Sequence, residues 1–143
     1  MDTYKGKVAF ITGAAGGLGF ALARAMGQRG MKVMLADVDA QRLSPACDAL
    51  IAEDIDAAFV LCDVAKAETV RQAAAATVAR FGKVHFVVNN AGVSLGGPTG
   101  DIAVEDWNWI VNINLMGVVH GVEAFTRIFQ AQGEGGYILN TAS

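Results

Sequence analysis

The chain has 143 residues, one domain's worth, enough to bury roughly 70% of the surface its unfolded form exposes, which excludes a disulfide-stapled miniprotein. Apolar residues make up 53% and charged residues 17%, with seventeen glycines and two prolines, a composition that excludes disorder. A net charge of −3 supplies no positive field for a polyanion, so nucleic acid is not an expected partner.

Residues 1–7 carry Asp2, Lys5 and Lys7 ahead of an apolar run of only four residues, unlike a secretory leader. So little precedes the first element that the start is expected to be native. That run, Val8, Ala9, Phe10 and Ile11, fits a strand buried on both faces of a parallel sheet. Glycines follow, and then Leu18, Ala21, Leu22, Ala25 and Met26 recur at helical spacing, with Gly30 placed to end the helix in a left-handed cap. A second strand is predicted over residues 33–36, ending at Asp37. Ser44 before Pro45 reads as an N-cap and first helical residue, which predicts the next helix over residues 45–51.

Residues 58–61 form a third apolar strand ending near Asp63, and Val70, Ala73, Ala74, Thr77, Val78 and Phe81 make one face of a helix that Gly82 ends. A fourth strand is predicted over residues 84–88, followed directly by Asn89, Asn90, Ala91 and Gly92. A Gly- and Pro-rich loop spans residues 96–100, a short helix residues 104–111 and a longer one residues 115–129. Gly133, Gly135 and Gly136 precede a fifth strand over residues 137–140. Alternation of strands and helices predicts an open, mostly parallel sheet covered on both faces. No apolar stretch approaches the ~20 residues of a membrane span, so no membrane partner is expected. Cys47 and Cys62 sit at no metal or redox spacing and read as reduced core thiols of a cytoplasmic protein. His85 and His120 lack partners at ligand spacing, so both read as structural and no metal is expected.

In such a sheet, ligands bind beyond the carboxyl ends of the strands where the strand order reverses. Between the first strand and first helix stand Thr12, Gly13, Ala14, Ala15, Gly16, Gly17, Leu18 and Gly19. Gly13 permits a tight turn, Gly17 lets backbone approach a pyrophosphate, and Gly19 lets helix and strand pack closely, while the helix N-terminus offers N–H groups to phosphates. Asp37, eighteen residues after Gly19, is placed to accept hydrogen bonds from an adenosine ribose and to repel a 2′-phosphate. Val38 follows it and no Arg or Lys lies within the turn, which favours NAD over NADP.

From residue 7 to 143 the chain resembles the N-terminal part of the short-chain dehydrogenase/reductase family. Thr12, Gly13, Gly17 and Gly19 follow its T-G-x-x-x-G-x-G pattern, Asp63 and Val64 its adenine-contacting pair, and Asn89 to Gly92 its N-N-A-G segment. Trp107 with Asn114, Leu115, Met116 and Gly117 fits its W…N-L-x-G spacing, with Asn112 as the alternative asparagine, and Ser143 ends a segment resembling the strand that delivers the catalytic serine. The resemblance implies a Rossmann-type doubly wound parallel sheet with helices on both faces, truncated after the fifth strand, so residues 1–143 would be an incomplete NAD(P)-binding domain. It implies Thr12, Gly13, Ala15, Gly17, Leu18, Gly19, Asp37, Val38, Asp63, Val64, Asn90, Ala91 and Gly92 as the cofactor-binding set.

It further implies hydride transfer between nicotinamide and an alcohol or carbonyl carbon. Asn114 would bend its helix and hold a water in a proton relay, and Ser143 would hydrogen-bond the substrate oxygen. The family's Y-x-x-x-K pair is missing from these 143 residues, since Tyr4 is followed four residues on by Val8 and Tyr137 by Thr141. The expectation is an inactive fragment of a longer enzyme that is a homo-oligomer through its apolar long helix, with Trp107, Trp109, Phe125 and Phe129 in core or interface. Two other readings stay open. One is a non-catalytic nucleotide-binding or regulatory protein, and the other is an epimerase or methyltransferase on a related fold.

Overall fold

The computed structural model describes residues 3–142. Five parallel strands form one sheet in the order β3-β2-β1-β4-β5: β1 (Val8–Thr12), β2 (Lys32–Asp37), β3 (Ala57–Leu61), β4 (Phe86–Asn89) and β5 (Tyr137–Asn140). The helices are α1 (Gly17–Gln28), α2 (Ala40–Ile51), α3 (Ala67–Phe81), α4 (Val104–Val111) and α5 (Gly117–Gln132). Strand order reverses between β1 and β4, the place where such sheets bind ligands.

Alternate residues of the central strands feed two cores. Ala9, Ile11, Val33 and Leu35 pack with Leu43, Cys47 and Leu50 of α2, whereas Phe10, Met34 and Ala36 pack with Val70 and Ala73 of α3 and Phe125 of α5. The wholly apolar strand pattern thus reflects burial on both faces, and the doubly wound architecture expected from the sequence is the one observed. Among the described residues no helix is long and apolar enough to cross a membrane. Cys47 and Cys62 are free and buried, and burial pushes the Cys62 thiol up to about 11, so it is a protonated core group.

Four local expectations need correction. The buried row of α1 is Gly19, Ala23 and Gly27, while Leu18, Ala21 and Ala25 are exposed. The helix lies so close to its neighbours that a side chain on Gly27 would stand 2.5 Å from Ile55 Cγ2, so small residues face inward where hydrophobic periodicity reads none. Helix α2 begins at Ala40, with Pro45 inside it. Asp39 caps it by accepting from Arg42 N–H at 3.1 Å, and burial of Leu43, Cys47 and Leu50 offsets the hydrogen bond that proline removes. Strand β4 starts at Phe86 because Val84 satisfies its backbone on the Gln132 amide instead, at 3.2 Å and 2.7 Å. Finally, α4 runs into α5 through a π turn, Asn112–Met116, closed by Gly117 N–H on the Asn112 carbonyl. Trp107 and Trp109 are exposed, Phe125 is fully buried, and Phe129 packs against the core.

His85 ties the amino-terminal edge of the sheet together. Its Nδ1 accepts from Val8 N–H at 3.0 Å, which requires the neutral tautomer whose Nε2–H donates to Glu134 at 3.2 Å. Burial, and after it Lys7, pulls its pKa below the ordinary 6.5, with Glu134 only partly opposing. The unfolded chain therefore takes up a proton that the folded chain refuses, so stability present above pH ~6.5 is lost as pH falls through the lower folded value. Urea unfolding at pH 7.5 and 5.5 should show a smaller loss for His85→Gln than for the parent. Equal losses would remove His85 as the source.

Candidate functional site

The carboxyl ends of β1 and β4 open onto a divided cleft. Its floor is the turn after β1, where Gly13 has φ +64° and a side chain there would press within 2.9 Å of the Ala91 Cα. Gly17 has φ +55° and nothing within 4 Å of where its Cβ would be, so the backbone at the start of α1 is open to a ligand. Ala14 N–H donates to the Ala36 carbonyl at 3.2 Å, tying the turn to β2.

Asp37 closes β2 with both carboxylate oxygens occupied. Oδ2 accepts from Ala15 N–H at 3.0 Å and Oδ1 from Asp39 N–H at 3.1 Å. These bonds fix the carboxylate at the wall of a first cleft lined by Gly13, Asp37, Val38, Asp63, Val64, Ala91 and Gly92. Asp63 caps its own loop through Ala65 N–H at 3.1 Å and pairs with Lys66 at 3.4 Å. Val64 is buried, and its carbonyl is bonded by His120 Nδ1 at 2.8 Å, so His120 anchors α5 to this wall. Val38 is 66% exposed and stands as a free apolar flank.

Thr12 is 3% exposed, and its hydroxyl faces protein rather than the cleft. Its Oγ1 accepts from Asn90 N–H and Ala91 N–H, both at 2.9 Å, and donates to the Val88 carbonyl at 3.4 Å. Asn90 returns the contact, donating from Nδ2 to the Thr12 carbonyl at 3.1 Å. The segment after β4 is thus pinned to the turn after β1, with the Thr12 hydroxyl and the Asn90 amide nitrogen engaged in that link.

A second cleft shares Ala91, Gly92 and Val93 with the first and is bordered by Leu18, Asn90, Asn114, Leu115, Asn140 and Thr141. Asn114 accepts from Val93 N–H and donates to the Val93 carbonyl, each at 2.8 Å, clamping the strip between the clefts. Gly117 presses against Val64, where a Cβ would lie 2.7 Å from Cγ2, so the π turn and this glycine together bring Asn114 inward. Asn112 makes no comparable clamp among the described residues, and Ser143 lies outside them.

The sequence-predicted residues therefore divide three ways. Gly13, Asp37, Val38, Asp63, Val64, Ala91 and Gly92 line the first cleft, Leu18, Asn90 and Asn114 the second, and Thr12, Ala15, Gly17 and Gly19 build the frame. Val93, Ile110 and Ile113 also line these clefts, and as apolar residues they carry no distinguishing signal in the sequence.

The short chain dehydrogenase family model matches residues 7–143. A CLA biosynthesis dehydrogenase/reductase of Lactiplantibacillus plantarum is 35% identical over 143 residues, covering 100% of this chain and 50% of its own length. The C alpha-dehydrogenase of a Sphingobium species is 35% identical, with 100% and 47% covered. A crystal structure of a short chain dehydrogenase/reductase from Burkholderia phymatum in complex with NAD superposes with a TM-score of 0.96 at 43% identity, covering 100% of this chain and 51% of that one. The chain spans about half the length of the curated relatives it matches.

Proposed function

Because this chain belongs to the short-chain dehydrogenase family, we propose that it binds NAD in the divided cleft and serves an oxidoreductase that moves a hydride between nicotinamide and an alcohol or carbonyl carbon. The observation that carries this reading is Asp37, a carboxylate held by Ala15 and Asp39 N–H groups at the cleft wall, where it receives ribose hydroxyls. Adenine takes the first cleft, between Val38 and Val64, and the nicotinamide end the second, beside Asn90 and Asn114. The NAD complex of the Burkholderia phymatum relative supports the choice of cofactor.

The frame suits the group. Residue 17 leaves open space above the backbone, and α1 directs its free N–H groups toward the pyrophosphate. Bound nicotinamide supplies the hydride chemistry. Asn114 acts as a positioning residue, since both ends of its amide hold Val93 and through it the strip between adenine and nicotinamide ends; a relay water beside it belongs to the same proposal. Ser143 is proposed to hydrogen-bond the substrate oxygen. No Tyr with Lys four residues on occurs in these 143 residues, so they bind and orient without completing proton transfer.

The exposed apolar side chains of Trp107, Trp109, Val111, Leu115 and Val119 support self-association of the intact enzyme. The two free buried cysteines accord with a cytoplasmic setting.

Calorimetric titration of the 143-residue chain should show NAD binding more tightly than NADP, with no steady hydride transfer to ketones or from alcohols. Tighter binding of NADP would overturn the role of Asp37, and steady turnover would overturn the incomplete-site reading.

A further inference from the structure

One wall of the first cleft is made by Cys62, Asp63 and Val64, and it is held at three points. Cys62 N–H donates to the Asp37 carbonyl at 2.9 Å, tying the segment to β2, and the Asp63 carbonyl accepts from the Thr69 hydroxyl of α3. The third hold comes from α5. His120 Nδ1 stands 2.8 Å from the Val64 carbonyl, and because a carbonyl only accepts, Nδ1 carries the proton. Three residues earlier on the same helix, Gly117 receives the Val64 side chain, where a Cβ would lie 2.7 Å from Cγ2. Residues three apart share a helix face, so one face of α5 takes both the side chain and the carbonyl of a single wall residue.

His120 itself lines neither cleft, so it reaches a ligand only through Val64. The same helical run also holds another part of the lining. Ile113, in the π turn, borders the first cleft, and Asn114 clamps Val93 through two bonds of 2.8 Å. The π turn and the first turn of α5 together therefore set the spacing between Val64 and Val93. Val64 is 6% exposed, so losing His120 would leave a buried carbonyl without a donor. The peptide relieves that cost by rotating toward the cleft, where water reaches it. Such a rotation puts a polar oxygen where an apolar wall now stands.

We propose that His120 is a positioning residue for the adenine end of the cofactor: it keeps the Val64 carbonyl turned away from the first cleft and so sets how tightly the adenosine half of NAD is bound. The proposal rests on the cofactor reading above, which places adenine against Val64. The geometry also dictates which substitutes work. Asparagine brings an amide N–H to the place of Nδ1, whereas glutamine carries its amide to the place of Nε2.

The test is calorimetric titration of the purified protein with NAD and with AMP, together with His120→Ala, His120→Asn and His120→Gln, at a temperature well below the thermal melt of every variant. His120→Ala and His120→Gln should weaken both ligands by about tenfold, and His120→Asn should stay within about threefold of the parent. Nitrogen NMR of the parent in alkaline buffer should show the His120 ring as the Nδ1–H tautomer. A lowered melting temperature with unchanged affinity would make His120 a structural prop of α5 and overturn the proposal. Equal affinities of the Asn and Gln variants would overturn it too, as would a ring protonated at Nε2 alone, or weaker NAD binding with AMP unchanged. Failure of the parent to bind either ligand would instead strike the cofactor reading itself, and this inference with it.

Discussion

Gly19→Ala is expected to lower NAD affinity by on the order of 100-fold, equivalent to ~2.7 kcal/mol, and to reduce the melting temperature. On helix propensity alone the change should help, since alanine is favoured over glycine in a helix interior by ~1 kcal/mol. The surroundings decide otherwise. An added Cβ would collide with the Gly13 carbonyl oxygen and stand 2.8 Å from Gly13 C and 2.7 Å from Asn90 Nδ2. Two of those three atoms are backbone, so no rotamer change relieves the contact and α1 must withdraw from the turn. Withdrawal moves the N–H groups that meet the pyrophosphate and pushes on Asn90, which holds the Thr12 carbonyl. Titration of the variant with NAD, alongside a thermal melt, reads both effects. An affinity within threefold of the parent would show that the turn yields without disturbing the site.

Gly19 also shows what a sequence reveals and what it hides. Its spacing from Thr12 and Gly13 marks close packing, and the packing is there. The apolar run at residues 8–11 likewise announces a strand covered on both faces, because burial on both sides leaves no polar alternation to misread. Asp37 is legible for a related reason: a lone carboxylate ending an apolar strand has few structural uses. What escaped depends on contacts between segments distant in the chain. The inward row of α1 is made of Gly19, Ala23 and Gly27, where the absence of side-chain volume is the signal and hydrophobicity gives none. The start of α2 is set by Asp39 and not by Ser44, because the Asp39 N–H is itself held by Asp37, from the preceding strand. The π turn at Asn112–Met116 follows from Asn114 reaching Val93, 21 residues earlier, a pairing that local periodicity cannot register.

Thr12→Val is expected to destabilise the protein by about 2 kcal/mol, since two half-buried N–H groups lose their acceptor, each toward the low end of the ~1–3 kcal/mol of an unsatisfied group, and to lower the urea midpoint by ~1 M. Valine preserves the shape and removes the hydroxyl, so the loss falls on Asn90 N–H and Ala91 N–H, both now bonded at 2.9 Å. Both belong to the strip that divides the clefts, so NAD affinity should fall in the same variant. Thr12→Ser separates the two roles that Thr12 could have. It keeps the acceptor and deletes one buried methyl, a change expected to cost only ~0.5–1.5 kcal/mol, and should retain most of the affinity. If Thr12 instead contacted the nucleotide directly, valine would weaken NAD binding while leaving the urea midpoint near that of the parent. The 3% exposure of Thr12 and the three backbone partners of its hydroxyl argue for the coupled loss. The threonine that opens the glycine turn then acts on the cofactor through the N–H groups it holds, and stability and affinity should fall together.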